Sequence, residues 1–209
     1  GHELFAGGVI AAANHVADFC AEIEIATSLG SNDSYEDLIR DNLKPNVRLT
    51  PTFRDGIPTT RKCRFVDKGY MRKMFEVYYF DDSPPSPEAN AQFNDSFADR
   101  VRDFDLVIVT DFGHGLISRK MIEAIDRTAR FLALNVQSNS ANIGFNLVTK
   151  YPRADFMCID DPEARLAVGD RFSDIEKIAS ELLPSQIRCH RTIITHGKNG
   201  CVGYEEGSP

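Results

Sequence analysis

Residues 106–135, LVIVTDFGHGLISRKMIEAIDRTARFLALN, decide the fold of this chain. Apolar residues fill 106–110 and 131–135, which predicts two buried strands, and the segment between them has the spacing of a helix over 118–130. The alternation continues with strands at 156–159, 191–195 and 201–204 and with helices that begin near Pro162 and at residue 173. Apolar strands that alternate with helices are typical of a mostly parallel sheet with helices packed on both faces.

The start of the chain predicts a further helix, strand and helix. Small apolar residues at helical spacing indicate a helix within 8–20, and alternation indicates a strand at 23–29. Ser34, followed three residues later by Asp37, resembles a loose capping box. The sequence therefore predicts a second helix that begins at Ser34 and runs towards Leu43.

The middle of the chain departs from this rhythm. Two runs rich in β-forming residues, 59–66 and 70–80, are separated by Asp-Lys-Gly and predict an antiparallel hairpin. A helix over 87–101 then leads back to the sheet. We therefore predict one α/β domain over residues 3–209, in which residues 46–80 contribute a β lid.

Composition and charge limit the kind of protein. The chain is 42% hydrophobic and 26% charged, as expected for a soluble globular domain. Its net charge of −7 argues against a nucleic-acid binder, and no apolar run reaches the ~18 residues of a membrane span. Five scattered cysteines without a Cys-x-x-Cys pair favour reduced thiols in a cytoplasmic protein over disulfides or a zinc site. The opening Gly1-His2 is interpreted as a tag remnant.

Polar residues follow the predicted strands, and ligands of parallel sheets bind beyond the carboxyl ends of the strands. In residues 110–115, TDFGHG, an acidic side chain and two glycines suit the rim of a site. Asp-Phe-Gly also occurs in protein kinases, but that class is rejected because no His-Arg-Asp loop or Val-Ala-Ile-Lys strand accompanies it. Residues 135–142, NVQSNSAN, either bind a polar ligand or satisfy the backbone of their own loop.

Three further stretches are candidates for a phosphate or sugar site. Residues 160–163, DDPE, form either a structural helix cap or the carboxylates of a hydrated Mg²⁺ on a phosphate tail. Gly7-Gly8 opens a helix with Asn14 two turns along, either to donate amides to a ligand or to make a tight turn. Residues 194–202, ITHGKNGCV, place a glycine-rich turn between two strands, which indicates half of a nucleotide site because glycine lets the backbone approach a ligand.

The order of these motifs resembles that of the ribokinase-like (PfkB) carbohydrate kinases. Gly-Gly-x5-Asn, Asp-Phe-Gly-His-Gly, Asp-x-x-Glu and Thr-x-Gly-x-x-Gly occur in this order. The strings FAGGVIAAANHVADFC, VTDFGHGLIS and LNVQSNSANIGFNLVTKYPRADFMCID are similar to the heptose-phosphate kinase type and to the kinase half of cytidylyltransferase–sugar kinase fusion proteins. The resemblance covers residues 5–204 and implies a ribokinase-like three-layer α/β/α fold with a mostly parallel sheet and a small β lid, truncated at both ends.

This resemblance implies an ATP-dependent kinase that transfers the γ-phosphoryl group to a hydroxyl of a sugar or sugar phosphate, with ATP and Mg²⁺ as cofactors. The residues implied for the sugar are Gly7, Gly8, Asn14, Lys62, Arg64 and Asp111. Those implied for the nucleotide are Asn135, Gln137, Asp160, Thr195, Gly197 and Gly200, with Asp160 and Glu163 for Mg²⁺. The lid is expected to close over the sugar and to mediate a homodimer, and a nucleotidyltransferase domain is expected to be fused to the kinase in the parent protein.

Departures from the family pattern bear on activity. Family members carry Asp and often Lys where this chain has Asn135 and Gln137, and Asp160 replaces an Asn. The Gly-Ala-Gly-Asp segment with the general base is expected beyond Pro209, and the first strand before residue 3, so the fragment itself is expected to be inactive. The alternative is a degenerate kinase fold that serves as a sugar-phosphate or nucleotide binding module, or as a scaffold beside the fused domain. A dinucleotide-binding oxidoreductase is disfavoured because no Gly-x-Gly-x-x-Gly follows a first strand.

Overall fold

The structure is a computed structural model that describes residues 2–81, 83, 85–140 and 142–207, apart from the Gln92 side chain. The chain divides into two compact units, residues 1–93 and 94–209. Gly1 of the proposed tag remnant and Pro209 at the predicted domain end lie outside the described residues. The prediction of one domain over 3–209 with a lid at 46–80 stays a prediction.

The first unit combines a parallel strand pair with a separate hairpin. Its elements in chain order are α1 (Val9–Val16), β1 (Ile23–Asn32), α2 (Glu36–Asp41), β2 (Val47–Pro58), β3 (Arg61–Asp67) and β4 (Arg72–Tyr79), and α3 (Pro87–Ala98) follows. Strands β1 and β2 pair in parallel, and α2 lies in the connection between them. The two helices α1 and α2 share a core with these strands that includes Ile10, Ile25, Leu29 and Ile39. Strands β3 and β4 pair antiparallel, which confirms the predicted hairpin.

The predicted capping box at the start of α2 is wrong. Tyr35 is the N-cap residue, with φ of 53° and no side-chain cap, and the helix begins at Glu36. Ser34 lies just before the N-cap: its Oγ accepts the Glu36 amide at 3.4 Å, and its carbonyl oxygen accepts the Thr59 hydroxyl at 2.9 Å. The N-cap is therefore one residue later than the sequence pattern predicts.

The second unit is a five-stranded sheet with helices. Its elements are β5 (Val107–Asp111), α4 (Arg119–Thr128), β6 (Leu132–Val136), β7 (Arg153–Ala154), β8 (Phe156–Asp160), α5 (Asp161–Val168), α6 (Ile175–Lys177), β9 (Arg188–Cys189), β10 (Arg191–Thr195) and β11 (Cys201–Glu205). The strand order is β11-β10-β8-β6-β5, in which the last four are parallel and β11 is antiparallel. The predicted α/β fold with a mostly parallel sheet is confirmed.

The winding of this sheet determines where ligands can approach. The parallel strands follow one another in a single direction across the sheet, so right-handed crossovers place α4 and α5 on the same face. Alternate residues on one face of the sheet are buried and form the core, including Val109, Leu134, Met157, Ile159 and Ile194. All four parallel strands therefore end at one edge, where their loops are neighbours. Within the described ranges, no helix has both the length and the apolar character needed to cross a membrane.

Candidate functional site

The register of the parallel strands brings the predicted site residues of the second unit to one edge. Thr110 is paired with Asn135, and Asp160 is paired with Thr195. The turn after β5, the loop after β6, the start of α5 and the turn after β10 therefore lie side by side. Strand-end positions were the basis of the sequence prediction, and the structure places them together.

Asp111, predicted to contact the sugar, lies in a buried network of protein contacts. Its side chain is 4% exposed, and one carboxylate oxygen accepts the Gly113 amide at 2.9 Å. The other oxygen accepts the Tyr151 hydroxyl at 2.6 Å and lies 2.6 Å from Lys150 Nζ. Burial, followed by the charge of Asp111, raises the pKa of the Tyr151 phenol and keeps it a donor. Both carboxylate oxygens of Asp111 therefore have protein partners in this structure.

Asn146 joins the strand ends in the same network. Its amide nitrogen donates to the carbonyl oxygens of Asp111 at 3.2 Å and Gln137 at 3.0 Å, and its side-chain oxygen accepts from Lys150 Nζ at 2.6 Å. Sequence reasoning missed Asn146, Lys150 and Tyr151, because none of them directly follows a predicted strand. All three lie within the long string that carries the family resemblance, which is the one signal that pointed to this region.

The asparagine-rich loop after β6 largely satisfies protein backbone. Asn139 and Asn142 donate to the Phe112 carbonyl at 2.9 and 3.1 Å, and Asn142 also accepts the Asn139 amide at 2.8 Å. Asn135 donates to the Cys158 carbonyl on β8 at 2.8 Å. Of the two roles considered for this stretch, backbone satisfaction holds for these side chains. Ala141, within the same stretch, lies outside the described residues.

Asp160 and Glu163 form a capping box at the start of α5. Asp160 Oδ1 accepts the Glu163 amide at 2.8 Å, and Glu163 Oε2 accepts the Asp160 amide at 2.9 Å. The second oxygen of Glu163 accepts the Ser138 amide at 3.0 Å, which ties α5 to the loop after β6. Burial is the main cause that raises the pKa of Glu163, which is 9% exposed. The structural-cap interpretation of this motif is realised in full.

The same geometry limits how Mg²⁺ would bind. In the part of the chain that the structure describes, no three His, Cys, Asp or Glu side chains are grouped so as to hold a metal ion. Both oxygens of Glu163 already accept amides, whereas Asp160 uses Oδ1 for the cap. Mg²⁺ often keeps several waters and takes only one or two carboxylates beside substrate phosphates. Asp160 fits such a hydrated ion, and Glu163 fits it less well.

The turn after β10 presents open backbone. Residues Gly197–Asn199 form one 3₁₀ turn, in which the Gly200 amide donates to the Gly197 carbonyl at 3.2 Å, and the His196 amide donates to the Gly200 carbonyl at 2.7 Å across the base of the connection. Gly197 and Gly200 have φ of 53° and 91°, and a Cβ at either would meet no atom within 4 Å. His196 Nε2 lies 3.6 Å from Asp161 at the start of α5. The turn and the helix start are thus adjacent, with free space on the side of the glycines.

The predicted sugar residues near α1 have mainly local roles in the structure. Gly8 is the N-cap residue of α1 with φ of 57° and ψ of −131°, a conformation that favours glycine. A Cβ at Gly7 would meet no atom within 4 Å. Asn14 donates to the Asn42 carbonyl at 2.6 Å and accepts the Lys44 amide at 3.0 Å, so both ends of its amide hold a loop.

The hairpin carries Lys62, Arg64 and Glu76 on one face and an aromatic pair, Phe65 and Phe75, on the other. Arg64 bonds Glu76 at 2.6 Å and Lys62 Nζ lies 4.0 Å from the same carboxylate, while the two cationic side chains are 61% and 39% exposed. The hydrogen bond from Arg64 is the main cause that lowers the pKa of Glu76 to about 2. On the opposite face, Phe65 and Phe75 stack with centroids 4.4 Å apart and are about half exposed.

Comparisons with known proteins agree with this architecture, although no protein-family model matches the chain. In sequence, the chain is similar to the bifunctional protein HldE of Pelobacter propionicus, with 22% identity over 201 residues, covering 95% of this chain. In structure, it is similar to the tetrameric inhibited form of Escherichia coli phosphofructokinase-2, with TM-score 0.70 and 12% identity over 97% of this chain and 66% of that one. A pyrophosphate-dependent kinase in the ribokinase family, complexed with a pyrophosphate analog and myo-inositol, gives TM-score 0.60 and 18% identity over 96% of this chain and 68% of that one.

The fold is therefore that of the ribokinase-like kinases, and the predicted resemblance to them is confirmed. The sequence relatives are bifunctional HldE proteins from several bacteria. The chain spans 40% of the length of the Pelobacter relative, so what the whole of such a protein does is not carried over to this chain by similarity.

Proposed function

We propose that this chain provides nucleotide- and sugar-binding elements of an ATP-dependent carbohydrate kinase, which transfers the γ-phosphoryl group to a hydroxyl of a sugar or sugar phosphate. The observation that supports this most is the open glycine turn after β10 beside the start of α5, both at the carboxyl ends of adjacent parallel strands. Backbone amides at such positions stabilise phosphate oxygens. The ribokinase-like fold gives this arrangement a kinase context.

Each part of the site has a proposed task. Thr195, Gly197 and Gly200 border the nucleotide, and Asp160 holds a hydrated Mg²⁺, which neutralises charge on the phosphates when bound. Neutral Asn135 and Gln137 line the nucleotide side without adding charge, and Glu163 keeps α5 and the loop after β6 in place. Phosphoryl transfer requires that water be kept from the acceptor hydroxyl, which a closing lid accomplishes in general terms.

The first unit takes the sugar in this proposal. Gly7, Gly8 and the start of α1 approach its hydroxyls, and Asn14 fixes the loop that supports them. Exposed Lys62 and Arg64 outnumber the single carboxylate of Glu76, so a phosphate on the sugar finds a net positive surface there.

Two partners follow from the same proposal. The half-exposed aromatic face of the hairpin pairs with a second copy of the chain, because an isolated two-stranded hairpin is marginally stable in water. A nucleotidyltransferase domain accompanies the kinase in the parent protein, as the bifunctional relatives suggest. A kinase of this kind works in the cytoplasm.

Binding and turnover test the proposal separately. Calorimetry with Mg²⁺-ATP is expected to give heat for the wild-type chain and much less for Gly200→Ala, in which an added Cβ at φ of 91° distorts the turn. Gly207→Ala is the matched control, because Gly207 has a similar φ of 81° outside the turn. Equal loss in both variants, or no heat with the wild type, would contradict the nucleotide assignment.

The alternative, a binding module or scaffold, is favoured by the neutral Asn135 and Gln137 and by an Asp160 engaged in a helix cap. Release of ADP from ATP, assayed with a panel of sugars and sugar phosphates on the longest polypeptide that contains this sequence, separates the two. Sugar-dependent ADP release supports the kinase. Sugar-phosphate binding without any turnover supports the module.

A further inference from the structure

We propose that Asp111 is a positioning residue, and that its ion pair with Lys150 locks the loop after β6 onto the turn after β5. The proposal deepens the function proposed above, on which it rests. It assigns the Asp111 carboxylate to the shape of the site and withdraws it from contact with the sugar.

The contacts of Asp111 join two segments that are far apart in the sequence, the turn after β5 and residues 146–151. The carboxylate accepts the Gly113 amide within its own turn, and it lies 2.6 Å from both the Tyr151 hydroxyl and Lys150 Nζ. Lys150 Nζ also donates to Asn146 at 2.6 Å, and the Asn146 amide reaches back to the Asp111 carbonyl. The result is a closed ring of contacts that holds the end of β5 against residues 146–151.

Residues of the loop after β6 make further contacts beside this ring. Asn139 and Asn142 both donate to the Phe112 carbonyl, so the loop after β6 is bonded to the turn after β5 at several separate points. Since the Asp111 side chain is only 4% exposed, a ligand reaches its oxygens only by breaking these contacts. The ring therefore fixes the direction in which the backbone leaves β5, and with it the wall of the site.

Electrostatics explain why a lysine is needed. Removing one partner of a buried ion pair leaves an uncompensated charge, whereas replacing both partners with neutral groups of similar size is often nearly neutral. Lys150, 31% exposed, keeps part of its side chain in solvent while its amine compensates the buried carboxylate. The two side chains are thus expected to be strongly coupled, which a direct ligand contact of Asp111 would not require.

The test compares Asp111→Asn, Lys150→Met and the double variant by hydrogen exchange, followed by mass spectrometry, over residues 111–118 and 135–150. Each single variant is expected to exchange about tenfold faster in both segments, and the double variant is expected to recover most of the protection. Nucleotide and sugar affinities, measured by calorimetry, are expected to fall and recover in parallel. Asp105→Asn is the control, because it breaks the exposed pair with Arg130 and should change neither quantity.

Three outcomes would overturn the proposal. One is unchanged exchange in both single variants, and another is a double variant that is no better than Asp111→Asn. The third is a loss of sugar affinity in Asp111→Asn with full affinity in Lys150→Met, as expected for a direct sugar ligand. If the single variants do not fold, Tyr151→Phe replaces them in the test, because it removes only one hydrogen bond. This variant is expected to exchange about fivefold faster in the same segments, and unchanged exchange there would also refute the proposal. Exchange needs no ligand, so failure of the wild type to bind ATP or sugar removes the proposed function and leaves this test intact.

Discussion

Replacing Gly113 by alanine probes the joint between the turn after β5 and the loop after β6. Gly113 has φ of 71°, and a Cβ there would lie 2.0 Å from Asn142 Nδ2 and 2.8 Å from Asn146 Cβ. Gly144 provides a matched control, because its φ is 79° and a Cβ would meet no atom within 4 Å. The two alanine variants share the cost of a left-handed residue and differ in the steric conflict.

The magnitude follows from the contacts that must change. A non-glycine residue in the left-handed region costs about 1–2 kcal/mol, which applies to both variants. In Gly113→Ala, Asn142 must also move away and lose its bonds to the Phe112 and Gly113 carbonyls, at about 1 kcal/mol each. We therefore expect Gly113→Ala to be less stable than Gly144→Ala by about 2 kcal/mol.

Urea unfolding followed by circular dichroism measures this difference, with equal slopes in the two variants as the check that the comparison is sound. Hydrogen exchange at residues 137–146 should be faster in Gly113→Ala and unchanged outside the second unit. Equal unfolding free energies for the two variants would mean that the asparagine contacts contribute nothing, and the account of a locked joint would be refuted.

Three further predictions concern charge and association. The folded pKa of Glu163 is raised above its usual 4.5, so its contribution to stability is present at low pH and is lost as pH rises through the folded pKa. The urea midpoint of the wild type, relative to that of Glu163→Gln, should therefore fall as pH rises. A constant difference between the two midpoints at every pH would contradict this. The pKa of Glu76 is shifted in the opposite direction, to about 2 in the folded chain, so the stability that Glu76 adds should be lost as pH falls from 4.5 towards 2. Circular dichroism should therefore show an acid transition in the wild type that Glu76→Gln lacks. Phe75→Glu on the aromatic face of the hairpin should shift sedimentation velocity profiles from dimer to monomer, whereas a wild type that is monomeric at all concentrations would rule out the proposed pairing.

The parts of the fold that sequence predicts best are those with a local signal. Strands β5 and β6 are apolar runs bounded by polar residues, and the turn after β10 carries its glycines where φ is positive. The N-cap of α2 was predicted one residue too early, and Ser34 is held both by the Glu36 amide and by Thr59, 25 residues away, which bonds its carbonyl. No periodicity in the sequence reports a contact of that kind.

The same limit applies to the candidate site. The sequence correctly placed Asp111 at the end of a strand, but its partner Tyr151 is 40 residues away along the chain. An acidic residue after a buried strand looks the same in sequence whether it faces a ligand or a lysine. Burial and distance separate these roles, and both are properties of the folded chain.

Charge at this edge of the sheet bears on the choice between a kinase and a binding module. Asn135 and Gln137 replace the charged pair of the family pattern. The structure does contain another charged pair here, Asp111 and Lys150, but Lys150 Nζ lies 2.6 Å from Asp111 Oδ2, so the two charges compensate each other. A closed ion pair contributes shape to the site and little net field at a phosphate several ångströms away. Attraction for a triphosphate then comes from backbone amides near Gly197, from the exposed Lys198 in the same turn and from a bound cation. We expect metal-dependent ATP binding from a kinase, whereas a sugar-phosphate sensor that relies on Lys62 would bind its ligand equally well without the metal.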